Sequence, residues 1–337
     1  MRPVSTDDSS ALTPAGLPAG RTALDAPDRR DGRVYIMPSD VDLAVEVALA
    51  TGRPLLLRGE PGSGKSSLAA YVAAHRQPRP WRYYEHVVTS RTQARDLLWT
   101  FDSVRRLADA QTSGHRGEAT SDSEYVEPGV LWWAFSPESA KERGVEQARS
   151  QAIEPNAAVN AGRSPDHAVV LIDEIDKAEP DMPNGLLVPL GSSEFVVAET
   201  NQVVRKSAMS SGANDHKGRH LIVITTNEER ELPQAFLRRC VTIWLRQPSK
   251  ERLIEIARAH LTDEGGYQSS DEELMESLAD ELIKLRETTG KQRMRAPSTA
   301  EYLDALRACR SLGVTVGGDD WDLLCNLTLL KPQQPEG

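Results

Sequence analysis

The sequence predicts an α/β fold, a parallel sheet flanked by helices, followed by a small all-helical domain. Three observations carry that expectation. Residues 55–57, 168–172 and 221–226 are short, mainly apolar runs, the pattern of strands buried on both faces of a parallel sheet. The first run passes through a glycine-rich turn into a helix. After Pro248 every apolar spacing is helical.

The 337 residues suffice for one medium α/β domain and a smaller one. Hydrophobic residues at 39% and charged residues at 27% imply a folded core. A net charge of −10 without a long basic block argues against a non-specific duplex DNA binder, and nucleic acid is not the expected partner, although a local basic channel is compatible with it. Cys240, Cys309 and Cys325 are few, odd in number and far apart, so they read as reduced thiols of a cytoplasmic protein. Neither a signal-peptide apolar region nor a membrane-spanning window is expected.

Residues 1–32, rich in Pro, Ser, Asp and Ala, read as a disordered arm. A short extended piece at 34–38 precedes a helix that starts at Ser39 and Asp40, with Val41, Ala44, Val45, Ala48 and Leu49 on one face. Thr51-Gly-Arg-Pro leads into the first strand. The loop Gly59, Glu60, Pro61, Gly62, Ser63 and Gly64 follows, and Lys65, Ser66 and Ser67 open a helix. This is G-x-x-x-x-G-K-[ST] between a strand and a helix, the setting that gives the pattern meaning. The bare pattern arises by chance in roughly one chain in a hundred of this length. Its glycines let backbone N–H groups approach a polyphosphate, and the helix N-terminus adds unpaired donors. Lys65 can place its charge between β- and γ-phosphates, and Ser66 can offer its hydroxyl to Mg²⁺. Tyr35 and Ile36, just ahead of the loop's strand, either contact the base of the nucleotide or pack under the sheet.

A strand is expected over 83–89 and a helix over 92–108 carrying Leu97, Leu98, Phe101, Val104 and Leu107. Residues 109–124 read as a loop and 125–135 as a loop-to-helix transition. Trp132 and Trp133 cannot share one helix stripe, so one is assigned to the core and the other to partial exposure, a subunit interface or a pore-facing surface. Residues 136–167 read as exposed helix and loop. The apolar run 168–172 ends in Asp173 and Glu174. Carboxylates at the end of a buried strand beside a phosphate loop can hold Mg²⁺ (Asp173) and polarise the attacking water (Glu174); alone they would be a solvated pair. A helix over 181–190 leads to a hairpin whose mobile tip includes 205–218. The strand 220–226 ends in Asn227, positioned either to touch the γ-phosphate and water or to cap a turn. A short helix ends in Arg238 and Arg239, and 241–245 forms the last strand. Four helices follow, with a capping box at Ser298 and Glu301.

A phosphate loop, then Asp-Glu, then Asn, then paired arginines ahead of a helical bundle resemble the AAA+ ATPases over about residues 33–330. Within that class, residues 169–178 (Val-Val-Leu-Ile-Asp-Glu-Ile-Asp-Lys-Ala), 191–200, 225–240 and 295–304 look like the MoxR family. Pro248 marks a domain boundary, giving a core over 33–247 and an all-helical lid over 248–330, and the Pro/Gln-rich stretch 331–337 reads as a flexible tail. The resemblance implies insertions around 120–133 and a hairpin before the Asn227 strand. It further implies a homo-oligomeric ring, commonly a hexamer, that hydrolyses ATP with Mg²⁺ at subunit boundaries, acting chaperone-like with a partner carrying a von Willebrand factor A domain. Some relatives of this form belong to bacterial conflict systems.

Carried over residue by residue, the resemblance makes Gly59 to Ser66 the phosphate loop, Asp173 and Glu174 the Mg²⁺ and water pair, and Asn227 the first sensor. Arg239 best matches the trans-acting arginine finger, with Arg238 its rival; the other would be structural or a surface ion pair. One departure stands out. Many MoxR proteins carry Pro-Arg at the start of the third lid helix. Here Ser298 follows Pro297, so either Arg295 substitutes from upstream or no arginine of the same chain reaches the γ-phosphate. Three functions fit: an ATP-driven remodelling enzyme, an ATP-dependent switch or scaffold that recruits an effector with slow turnover, and a nucleic-acid-directed motor. The acidic balance and the lack of helicase or nuclease motifs disfavour the third. No Asn-Lys-x-Asp motif points to GTP.

Overall fold

The structure is a computed structural model that describes residues 32–113, 121–145, 148–206, 220–292 and 296–330. The expected arm (but for Gly32), the tail, Arg295 and most of the expected hairpin tip lie outside these residues.

Five parallel strands form the sheet: β1 (Leu55–Arg58), β2 (Trp81–Val87), β5 (Ser164–Asp173), β8 (His220–Thr226) and β9 (Val241–Trp244), in the order β2-β5-β8-β1-β9. β1 lies between β8 and β9, with Leu55 opposite Val223 on one side and Val241 on the other. Successive side chains point to opposite faces, and both faces are covered. Leu55, Leu57, Val169, Leu171 and Val223 pack with α1 (Ser39–Thr51) and α2 (Lys65–His75). Leu56, Tyr84, Val170, Ile172 and Ile224 pack on the other side, beneath α4 (Val130–Phe135). Leu55, Leu56 and Leu57 have no exposed surface; each such side chain contributes about 1.5–3 kcal/mol relative to an exposed one. The strands run the same way, so the ends of β1, β5 and β8 bring the phosphate loop, Asp173 and Asn227 to one edge.

Several expectations over 92–205 need correction. No continuous helix spans 92–108. A 3-10 turn (Ala94–Leu97), β3 (Trp99–Phe101) and α3 (Ser103–Ser113) stand there instead. β3 pairs antiparallel with β4 (Val126–Pro128). Trp99 decides this: its indole N–H donates to Glu199 Oε2 at 2.7 Å and its ring stacks on Phe195, contacts from far along the chain that override the local helical period. α3 then extends into the expected loop, which also holds a 3-10 turn (Asp122–Tyr125), and it leaves Val104 and Leu107 exposed. Trp132 and Trp133 are both buried, at 0% and 3% exposure, because α4 is enclosed on every side; neither sits at an exposed surface. Residues 136–167 include α5 (Pro137–Lys141) and α6 (Ala157–Asn160) and are not simply exposed. Arg143 is buried there, donating to Val126 O at 3.0 Å and Glu127 Oε1 at 2.9 Å, and Asn160 Oδ1 accepts from Tyr83 N at 2.8 Å. The helix expected over 181–190 breaks at Leu186 into α7 (Asp181–Gly185) and α8 (Leu187–Ser192). The hairpin pairs β6 (Glu194–Val197) with β7 (Gln202–Arg205), turning at 198–201, where Asn201 takes a left-handed conformation (φ 54°). Arg205 is therefore strand, opposite Glu194, and not tip.

After the short α9 (Gln234–Leu237) and β9, four helices form a second core: α10 (Lys250–Asp263), α11 (Asp271–Gln292), α12 (Thr299–Leu312) and α13 (Trp321–Leu329). Leu253, Leu261, Leu278, Leu282, Tyr302 and Leu306 fill it. The capping box opens α12: Ser298 N donates to Glu301 Oε2 at 2.6 Å and Glu301 N to Ser298 Oγ at 3.4 Å. The three cysteines are free thiols. Among the described residues no helix is long and apolar enough to cross a membrane.

Candidate active site

The site starts where β1 runs out. Gly62 and Gly64 adopt left-handed conformations (φ 78° and 85°), and Gly64 is the residue from which α2 begins. A Cβ at Gly62 would sit 2.1 Å from Ser298 Cβ, so only glycine lets the loop lie against the start of α12. Lys65, the first residue of α2, is 6% exposed and folds back into the loop. Its Nζ donates to Gly59 O at 2.8 Å and Glu60 O at 2.7 Å. Burial lowers its pKa, opposed by the charges of Asp173, Asp176, Glu174 and Glu60. An anionic ligand would offer this ammonium a stronger acceptor than two neutral carbonyls.

Asp173 ends β5, almost fully buried. Its Oδ1 accepts from Ser66 Oγ at 2.8 Å and Thr225 Oγ1 at 2.6 Å. The two oxygens assigned to Mg²⁺ from sequence are thus already in contact, a hydroxyl and a carboxylate of the kind a hard cation takes. Among the described residues no cluster of three or more His, Cys, Asp or Glu could hold a metal alone. A cation here would draw its remaining ligands from phosphate and water, as Mg²⁺ does. Glu174 adopts a left-handed backbone (φ 59°). Its N–H donates to Thr225 Oγ1 at 2.9 Å, and its Oε1 accepts from Asn227 Nδ2 at 3.2 Å. The structure therefore brings Lys65, Ser66, Asp173, Glu174 and Asn227 together around one opening, a cavity of about 740 Å³ between the sheet edge and the helical domain.

A family model described as "ATPase family associated with various cellular activities (AAA)" matches residues 55–247, from the first residue of β1 to just beyond β9. This chain belongs to the AAA family. Among the solved structures similar to it are two that are distant in sequence. A candidate ATPase from Cytophaga hutchinsonii is 15% identical over 89% of this chain and 83% of that one, with a TM-score of 0.42. The Thermotoga maritima RuvB Holliday junction branch migration motor is 16% identical over 85% of this chain and 65% of its own length, with a TM-score of 0.40. No curated protein matches the chain.

The cavity of this AAA protein has its far wall in the N-terminal segment and the helical domain. Tyr35 both packs and lines it: a ring carbon lies 3.2 Å from where Gly64 would carry a Cβ, and the ring tilts against Tyr71. Burial pushes the Tyr35 hydroxyl up to about 12. Ile36 also lines the cavity, and its carbonyl accepts from Arg252 Nη2 of α10 at 2.7 Å. From α11, Arg286 donates to Pro297 O at 2.9 Å and Pro248 O at 3.1 Å, tying the start of α12 to the interdomain connection. Burial lowers the Arg286 pKa to about 10, against the pull of Glu60 and Glu301. Ser298 is buried against Gly62, so a longer side chain at this position would displace the phosphate loop.

Arg238 and Arg239 do not line the cavity. They follow α9 with exposed side chains, and neither has an acidic partner among the described residues. Arg239 Nη1 donates only to Ala235 O at 3.3 Å, and the Arg238 carbonyl accepts from Arg53 at 3.2 Å. Among the described residues, the surface ion pair considered for one of them is not formed. Sequence reading missed Thr225, Asp176, Arg252 and Arg286. Thr225 and Asp176 had a local signal, a hydroxyl and a second acid near two strand ends. The two arginines had none, because their partners lie in other elements.

Proposed function

We propose that this AAA protein is a MoxR-type AAA+ ATPase, converting ATP and water to ADP and phosphate within a homo-oligomeric ring to remodel or activate a protein partner. The observation that carries the reading is the bonded set Ser66–Asp173–Thr225 and Glu174–Asn227 at the mouth of one cavity. Residues 59–67 would cradle the phosphates, with Tyr35 and Ile36 beside the base. Lys65 would exchange the Gly59 and Glu60 carbonyls for phosphate oxygens. Mg²⁺, held by Ser66 and Asp173, would neutralise charge on the phosphates. Glu174 orients the attacking water and accepts its proton, and Asn227 holds Glu174 and senses the γ-phosphate. Arg239, supplied by the neighbouring subunit, stabilises charge developing on the transferred group.

The MoxR assignment rests on the sequence segments above, and with it come a hexameric ring, a partner with a von Willebrand factor A domain, cytoplasmic location and a place in bacterial defence. A slow-turnover switch is favoured by one feature: Asn227 engages the very carboxylate that must meet water. Phosphate release from ATP with Mg²⁺ tests the hydrolase reading. Glu174→Gln should keep ATP affinity within about threefold while lowering turnover on the order of 10²–10³-fold. A variant that hydrolyses ATP at the wild-type rate would contradict the assignment of Glu174.

A further inference from the structure

One buried acid in the cluster has no part in the reaction just described. Asp176 lies in the 3-10 turn (Ile175–Lys177) that follows Glu174, is 2% exposed and does not line the cavity. Its Oδ2 accepts from Asn227 N at 3.1 Å and from Glu229 N at 2.9 Å. Oδ1 is buried with no hydrogen-bond partner among the described residues. Burying a carboxylate is costly unless accepted hydrogen bonds offset it, and here both accepted bonds come from one loop.

That loop is not relaxed. Glu228, between the two donors, has a left-handed backbone (φ 61°), as does Glu174 at the end of the neighbouring strand (φ 59°). Such conformations in non-glycine residues persist only where the surroundings over-determine them. Asp176 does so for both strand ends. Its backbone follows the bend at Glu174, and its carboxylate grips the residues on either side of Glu228. The Thr225 hydroxyl bonds Glu174 N and the Thr226 hydroxyl bonds Glu228 N at 3.0 Å, completing the brace. Across it, Asn227 Nδ2 meets Glu174 Oε1.

We propose that Asp176 is a positioning residue for hydrolysis, holding the Asn227 side chain in register with Glu174 and acting through Asn227. The inference rests on the ATPase reading above. Removing the grip frees two backbone donors and lets Asn227 move, and a displacement on the order of 1 Å costs about 10²-fold in such sites. Asp176→Asn keeps the size and one acceptor oxygen but turns two charge-assisted bonds into neutral ones about half as strong.

The test is a double-mutant cycle of Asp176→Asn and Asn227→Ala, read as kcat, KM and ATP affinity. Asp176→Asn alone should lower kcat about 10–100-fold with KM and affinity within about threefold of wild type. In the Asn227→Ala background the same change should cost less than about threefold, because the residue it acts through is gone. Independent losses that multiply in the double variant would overturn the proposal. So would an Asp176→Asn kcat within about twofold of wild type, or a parallel loss of ATP binding, which would make Asp176 a structural residue only. A wild-type chain that binds ATP without hydrolysing it would instead sink the ATPase reading itself, and this inference with it.

Discussion

The phosphate-loop edge and the α9 surface carry the two halves of one proposed reaction, and they are built differently. At the loop edge each group is held by another: Lys65 by two carbonyls, Asp173 by Ser66 and Thr225, Glu174 by Asn227, the Asn227 backbone by Asp176. At α9, Arg238 and Arg239 extend outward without an acidic partner among the described residues. A bonded site is pre-organised and needs no second chain to take shape. An unpaired, exposed arginine retains its full capacity to bind an oxyanion brought to it. The difference fits the proposed division of labour, in which the arginine would be offered to the site of a neighbouring copy.

The largest expected effect comes from breaking the exposed half. Arg239→Ala should lower turnover on the order of 10³-fold, and Arg238→Ala less than about tenfold. Mixing sharpens the comparison. Arg239→Ala and Glu174→Gln are each expected to be nearly inactive, yet a mixture should recover activity, since an intact Glu174 then faces an intact Arg239 across a boundary. A mixture as inactive as its parts would place the arginine's role within its own chain.

A smaller effect should follow at the seam between the domains. Arg286→Ala leaves Pro248 O and Pro297 O without their donor. It should raise KM for ATP about fivefold to tenfold and lower stability by about 1–3 kcal/mol. Steady-state kinetics and thermal unfolding check both. An unchanged KM would mean that the helical domain is not held onto the nucleotide by this residue.

The smallest effect lies away from both halves. Burial beside Phe135, with Lys206 and His167 adding like charge, lowers His220 from its ordinary 6.5 to about 3. The native chain keeps this ring neutral while the unfolded chain protonates it, so stability falls as pH drops from 6.5 toward 3. His220→Gln should flatten that acid limb in unfolding curves recorded across the window, and should leave the neutral-pH rate unchanged.

The loop edge was legible in the sequence because its chemistry is local. Gly59 to Ser66 act over eight consecutive residues, and Asp173 and Asn227 each close an apolar run whose register a parallel sheet must align. The helical domain was legible from its period. What could not be read depends on distant partners. Leu97, Leu98 and Trp99 are consecutive buried residues, a pattern that makes sense only once Phe195 and Glu199 are in place. Trp132 and Trp133 belong to a helix buried on all sides, where periodicity says nothing about which face is inside. Asp176 reads as one more solvated acid until the loop after β8 folds over it. The role proposed for Arg239 rests on resemblance alone, since exposed charge carries no packing signal.

The most direct test of a site shared between chains is ATP turnover per subunit in Mg²⁺ as protein concentration rises, with the oligomeric state sized at each point. The account predicts a low rate for dilute monomers that climbs steeply and reaches a plateau as rings form. A constant per-subunit rate in a sample sized as monomers would contradict it, removing both the ring and the role given to Arg239.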